Sequence, residues 1–131
     1  MKSIKISIPS LIENIKIIES FIDNAKENFE INDDIYGNIM ISVTECISNA
    51  IIHGNSMHVA KEVKLEFYET EDGFGFRICD EGTGFDHSHL PDPTSPENIE
   101  KENGRGIFLM RNLADEVLFN ERGNEVSVFF N

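Results

Sequence analysis

The sequence is poor in positive charge: 11 Lys and Arg stand against 24 Asp and Glu, a formal net charge of −13. Such a surface repels nucleic acid and anionic membrane, which excludes both as expected partners and favours a basic protein instead. The same field repels an anionic ligand, so a site for one needs local cations. Cysteine is scarce as well. Cys46 and Cys79 lie far apart inside apolar segments, which predicts reduced, buried thiols rather than a disulfide framework. The N-terminus lacks an uninterrupted apolar run: behind Lys2 and Lys5 it is broken by Glu13 and Lys16, so neither a signal peptide nor a membrane span starts there. The expectation is a cytoplasmic protein. There is no internal repeat and no low-complexity tract. What remains is 131 residues, 40% apolar and 27% charged, enough for one domain around one core.

Periodicity divides this domain into elements. Residues 3–8 alternate polar and apolar as a half-buried strand does. Pro9 and Ser10 open a helix that carries Leu11, Ile15, Ile18 and Ile22 at helical spacing and ends near Phe29. Asn32-Asp33-Asp34 starts a second helix, which runs to about His53 and stops at Gly54-Asn55. Val63, Leu65 and Phe67 alternate, turn through Asp72-Gly73, and return as Phe74, Phe76 and Ile78, a β-hairpin. Residues 86–103 hold Pro91, Pro93 and Pro96 and little apolar pattern; a loop of this length is a functional lid or a disordered segment. A helix from about Gly104 to Ala114 follows, then strands near 115–120 and 124–130. The predicted fold is an α/β (α+β) two-layer sandwich, a mixed, mostly antiparallel sheet with helices on one face.

Three places carry chemistry. On the second helix, Asn38, Ser42, Glu45, Asn49 and His53 fall within roughly 80° at 100° per residue. Ile39, Val43, Ile47 and Ala50 flank them on one side, and Ile41 and Ile52 on the other. That arrangement suits the wall of a pocket, although a helix surface with incidental Glu and Asn reads the same way. In a pocket, the Glu45 carboxylate can position and partly deprotonate a hydroxyl or water. The Asn49 amide oxygen, one turn on, can join phosphates and waters around Mg²⁺.

The second place is Asp80-Glu81-Gly82-Thr83-Gly84-Phe85, directly after a strand. Positions 74, 76, 78 and 80 share one face if no bulge intervenes, so Asp80 points inward with Phe74, Phe76 and Ile78. A buried carboxylate needs a donor, and the exocyclic amine of adenine is one. Gly82 and Gly84 let backbone approach a flat base. A solvated Asp-Gly turn is the alternative. The third place is Asn103-Gly104-Arg105-Gly106 ahead of an apolar helix. Glycines there expose N–H groups that attract phosphate, and Lys101, Arg105 and Arg111 supply the local cations. The spacing is neither that of a P-loop nor that of a dinucleotide fold. His53, His58, His87 and His89 have poor spacing for a metal.

In this order the three segments resemble the GHKL ATPase superfamily and, within it, the anti-sigma-factor serine/threonine-protein kinase group. The run from Glu45 through Asn49 to His53-Gly54 is similar to that family's N-box. Asp80, Gly82 and Gly84 match its first glycine box, and Gly104 and Gly106 its second. The resemblance implies a Bergerat-type ATP-binding fold, ATP and Mg²⁺ as cofactors, Glu45 as base or orienter, Asn49 as the Mg²⁺ ligand and Asp80 as the adenine reader. Gly82, Gly84, Gly104 and Gly106 would shape a nucleotide lid. It further implies a protein kinase that phosphorylates a small antagonist protein, binds a partner such as a sigma factor, and often dimerises. The competing expectation is a nucleotide-controlled binding switch without significant kinase activity. Sensor histidine kinases add a His-bearing hairpin, and gyrase-type members a transducer domain; neither pattern is among these residues.

Overall fold

The structure, a computed structural model, describes residues 2–82, 112–120 and 124–131. The expected lid at 86–103 and most of the helix expected from Gly104 lie outside them. Five strands form one sheet in the order β1 (Ser3–Pro9), β2 (Glu62–Glu69), β3 (Phe74–Cys79), β5 (Glu125–Phe130) and β4 (Glu116–Phe119). All four pairings are antiparallel, so among the described strands the sheet is antiparallel rather than mixed. The long connection between β1 and β2 carries the helices α1 (Ile15–Asn28) and α2 (Asp33–Asn49) and still returns the chain antiparallel to β1.

Register follows the alternation. Ile6 faces Leu65, Leu65 faces Ile78, and Ile78 faces Val126, a row of apolar side chains across four strands. A parallel row runs from Ile4 through Phe67 and Phe76 to Val128. The helices cover this face with Ile18, Ile22 and Ala25 of α1 and Ile39, Val43 and Ile47 of α2, all within one buried cluster. Full burial of one such side chain contributes about 1.5–3 kcal/mol. The opposite face carries Lys5, Glu66 and Arg77, with Glu66 paired to both cations.

Each helix starts and stops for a local reason, with one exception. A 3₁₀ turn (Ile12–Asn14) precedes α1, so the α-helix begins later than Pro9-Ser10 suggested. At its other end, Glu30 adopts a left-handed φ of 53°, and Ile31 N–H returns to the Lys26 carbonyl at 3.0 Å, a Schellman closure. Asn32 caps α2 by accepting from Asp34 N–H at 2.7 Å, ahead of two acids in the first turn. The pair Lys26–Asp33 at 2.5 Å and the Tyr36 hydroxyl donating to Asp23 tie the two helices together.

The exception is the end of α2. The α-helix stops at Asn49, and the chain continues through a wide π turn (Ala50–Gly54) in place of a regular helix to His53. Asn55 N–H closes that turn on the Ala50 carbonyl at 2.8 Å. By length and composition alone, Asp33–Gly54 could cross a membrane. In this fold its apolar side is laid on the sheet, with Ile39, Val43, Ile47 and Ile51 buried.

Candidate functional site

The C-terminal part of α2 and its π turn meet the end of β3. Glu45 and Asn49 are half-buried on the shoulder of α2, beside the buried Val43, Cys46 and Ala50. Between Asn38 and Glu45 on the same stripe, Ser42 is fully buried and its Oγ has no hydrogen-bond partner among the described residues. On the other flank of the stripe, Ile41 is 45% exposed, whereas Ile52 is partly buried and packs against the core. His53 is exposed, unlike Glu45 and Asn49. The buried Cys46 thiol is pushed up from its ordinary value, mainly by desolvation and secondarily by the neighbouring Glu45 charge.

Asp80 follows β3 without a bulge, because the register Ile78–Val126 and Cys79–Glu125 is unbroken up to it. Its N–H donates to the Asn124 carbonyl at 3.0 Å. Its half-buried carboxylate accepts from Gly82 N–H at 2.8 Å and lies against Gly54 so closely that a Cβ on Gly54 would overlap it. A Cβ on Gly82 would in turn overlap the Gly54 carbonyl oxygen. A side chain at Gly54 would displace the Asp80 carboxylate, and one at Gly82 would require the backbone to move. Two segments recognised separately in the sequence, the end of the N-box-like helix and the start of the first glycine box, are thus one packed junction.

Sequence reasoning treated Asn55 only as a helix stop. In the structure it is fully buried and is the hub of the junction. Asn55 Oδ1 accepts from Glu81 N–H at 2.7 Å, while Nδ2 donates to Ser10 Oγ at 2.8 Å and to the Glu62 carbonyl at 3.0 Å. Ser10, also fully buried, donates its hydroxyl hydrogen bond to the Lys61 carbonyl at 2.7 Å, and the Glu81 carboxylate accepts from Glu62 N–H. The only signal for this was a Gly-Asn pair where a helix stop needed only the glycine.

Gly84, Lys101, Gly104, Arg105 and Gly106 lie outside the described residues, as do His87 and His89. Among the described residues, no group of three or more His, Cys, Asp or Glu is placed to hold a metal. An open groove of about 310 Å³ on the other face of the sheet, between Lys5, Lys64, Glu66, Arg77 and Cys79, contains none of the expected site residues. Among the described residues, the half-buried Asn49, the unpartnered Ser42 hydroxyl and the Asp80 carboxylate between glycines are groups of the kind that a polar ligand with an amine at one end and phosphates at the other requires.

A family model described as a histidine kinase-like ATPase domain matches residues 8–130. The chain is 26% identical over 125 aligned residues to the serine-protein kinase RsbW of Oceanobacillus iheyensis, covering 91% of this chain and 79% of that protein. It is 28% identical over 133 aligned positions to the serine-protein kinase RsbW of Staphylococcus epidermidis, covering 95% and 84%. Among solved structures, the crystal structure of the RsbU and RsbW domains of Rv1364c from Mycobacterium tuberculosis matches with a TM-score of 0.65 at 12% identity, a likeness of fold. It covers 98% of this chain and 31% of that one. With the junction of helix end, strand-end carboxylate and glycines already in view, the match over 8–130 places this chain in the histidine kinase-like ATPase domain family.

Proposed function

We propose that the chain is a Mg²⁺- and ATP-dependent protein serine/threonine kinase. Its substrate would be a small antagonist protein, and it would also sequester a partner such as a sigma factor. The observation that carries the reading is the junction itself, where Asp80 is wedged against Gly54 and Gly82 beneath the helix that bears Glu45 and Asn49. The relatives named serine-protein kinases support the reaction type. In this reading the chain is a single ATP-binding domain with its lid at 86–103. Asp80 accepts the adenine amine, and Gly82 and Gly84 leave room for the base. Glu45 orients the attacking hydroxyl and draws its proton. The Asn49 oxygen would hold Mg²⁺, which neutralises phosphate charge when bound. Lys101, Arg105 and the glycines Gly104 and Gly106 would face the phosphates, His53 would lie at the rim, and a cytoplasmic homodimer is the assembly the reading implies. Phosphoryl transfer depends mainly on such positioning and charge neutralisation.

Calorimetric titration with ATP and GTP, with and without Mg²⁺, tests the site. Mg²⁺-dependent, adenine-selective binding is the expected result, and equal affinity for ATP and GTP would overturn the role of Asp80. Glu45→Ala is expected to keep ATP affinity within about threefold, under 1 kcal/mol, while abolishing transfer to the protein substrate. Wild-type protein that binds ATP, transfers no phosphate and changes its partner affinity with nucleotide would instead be the binding switch.

A further inference from the structure

Asn55 is a residue whose side chain has been assigned no part in nucleotide binding, yet it holds the peptide on which the nucleotide-reading carboxylate stands. Its amide can point only one way. The Glu62 carbonyl can only accept and the Glu81 N–H can only donate, so Nδ2 must face the first and Oδ1 the second. Both amide protons are used, on Ser10 Oγ and the Glu62 carbonyl, and the side chain is fully buried. No other short side chain offers two donors and an acceptor in this geometry: Asp lacks the donors, Ser lacks the reach, and Gln adds a methylene where there is no room.

The peptide between Asp80 and Glu81 is therefore clamped from two sides. The Asn124 side-chain Nδ2 donates to the Asp80 carbonyl at 3.4 Å, and Asn55 Oδ1 accepts from the Glu81 N–H at 2.7 Å. With that peptide plane set, the Asp80 side chain is left with the direction fixed by Gly82 N–H and the Gly54 backbone. Without the Asn55 acceptor, the longer of the two bonds, from Asn124 at 3.4 Å, remains, so the plane turns more readily and the carboxylate moves with it.

We infer that Asn55 is a positioning and specificity-determining residue for adenine, acting through the Asp80–Glu81 peptide and anchored at its far end by Ser10. The inference rests on the nucleotide-site reading above. A merely structural asparagine would weaken every ligand and every background alike. A positioning residue acts only while the group it positions can read the base.

The test is a double-mutant cycle on the full chain, with Mg-ATP binding measured calorimetrically for the wild type, Asn55→Ala, Asp80→Asn and the double variant. Asn55→Ala is expected to weaken ATP about tenfold in the wild-type background and less than about twofold in the Asp80→Asn background, with most of the preference for ATP over GTP lost. Ser10→Ala, which removes one anchor and leaves Asn55 in place, should show the same background dependence at about threefold, and it serves where Asn55→Ala does not fold. In the nucleotide-free protein, hydrogen exchange at the Glu81 amide should rise at least about tenfold in Asn55→Ala while exchange at Phe67 is unchanged. Equal losses in both backgrounds, or unaltered Glu81 exchange, would overturn the positioning role alone. Wild-type protein that binds no ATP would overturn it together with the nucleotide-site reading.

Discussion

Helix α1 ends on backbone bonds of its own last turn, whereas α2 ends on a side chain that reaches three other segments. At the first end, Ile31 closes on Lys26 through a left-handed Glu30, and Phe29 packs edge-on against Phe67 with ring centroids 5.2 Å apart. At the second, the helix widens into a π turn, and the buried Asn55 bonds to Ser10, Glu62 and Glu81. Apolar packing and local closure suffice where a helix only has to stop. A polar clasp appears where the stop also has to hold a carboxylate, because hydrogen bonds set direction and apolar contacts do not. Wide turns inside helices are frequent at functional sites for the same reason.

The comparison predicts separable effects. Phe29→Ala should give the largest loss of stability, about 3–5 kcal/mol by urea unfolding, from the cavity it leaves between Phe67 and Phe74. Its effect on ATP affinity should stay within about threefold, under 1 kcal/mol. A much larger effect would mean that the two helix ends are not independent. Gly82→Ala should behave in the opposite way. Its Cβ meets the Gly54 carbonyl, backbone against backbone, so about 1–3 kcal/mol of stability is lost and ATP binding falls at least about tenfold.

A pH experiment sharpens the contrast at the strand end. Cys79, next to Asp80, donates to Glu125 at 3.0 Å, and its thiol is pushed up to about 12, first by desolvation and then by that hydrogen bond. The folded state therefore holds the proton that the unfolded state loses near the ordinary value of 9.0. This contribution to stability is present below pH 9.0 and is lost as pH rises toward about 12. Alkylation by iodoacetamide at pH 8.5 should be on the order of a hundredfold slower in the folded chain than in urea. Equal rates would show that the strand end is open. The smallest effect is expected at the α1 end: Glu30→Gly relieves a left-handed residue but loosens the unfolded chain, for a net gain below about 1 kcal/mol. Thermal unfolding would register it, and ATP affinity should not change.

Much of the architecture was legible because it is periodic. Alternation along 3–8, 63–67 and 74–78 named the inner face of the sheet, and the same parity placed Asp80 beneath the helices because no bulge interrupts β3. On the α2 stripe Glu45 and Asn49 are half-buried, whereas His53 lies on the π turn and is exposed. Nothing local distinguishes a regular last turn from a widened one. Gly54, the last residue of that turn, passes Asp80 with no side chain between them. Asn55 was invisible for a related reason. Its three partners are 45, 7 and 26 residues away, and no spacing rule connects them.

The amino-acid order by itself determined which residues are apolar on which face, where α2 begins, and that the chain is strongly acidic. These depend on neighbours within one or two turns of chain. It also marked a carboxylate and glycines as chemically unusual. Tertiary structure alone decided that β5 rather than β4 lies beside β3, that Gly54 and Gly82 touch, and that a single buried amide orients the peptide after Asp80. Each of those depends on which backbone groups from distant segments are brought opposite one another. A hydrogen bond a few tenths of an ångström too long is no longer worth its desolvation, so only the assembled fold selects among them.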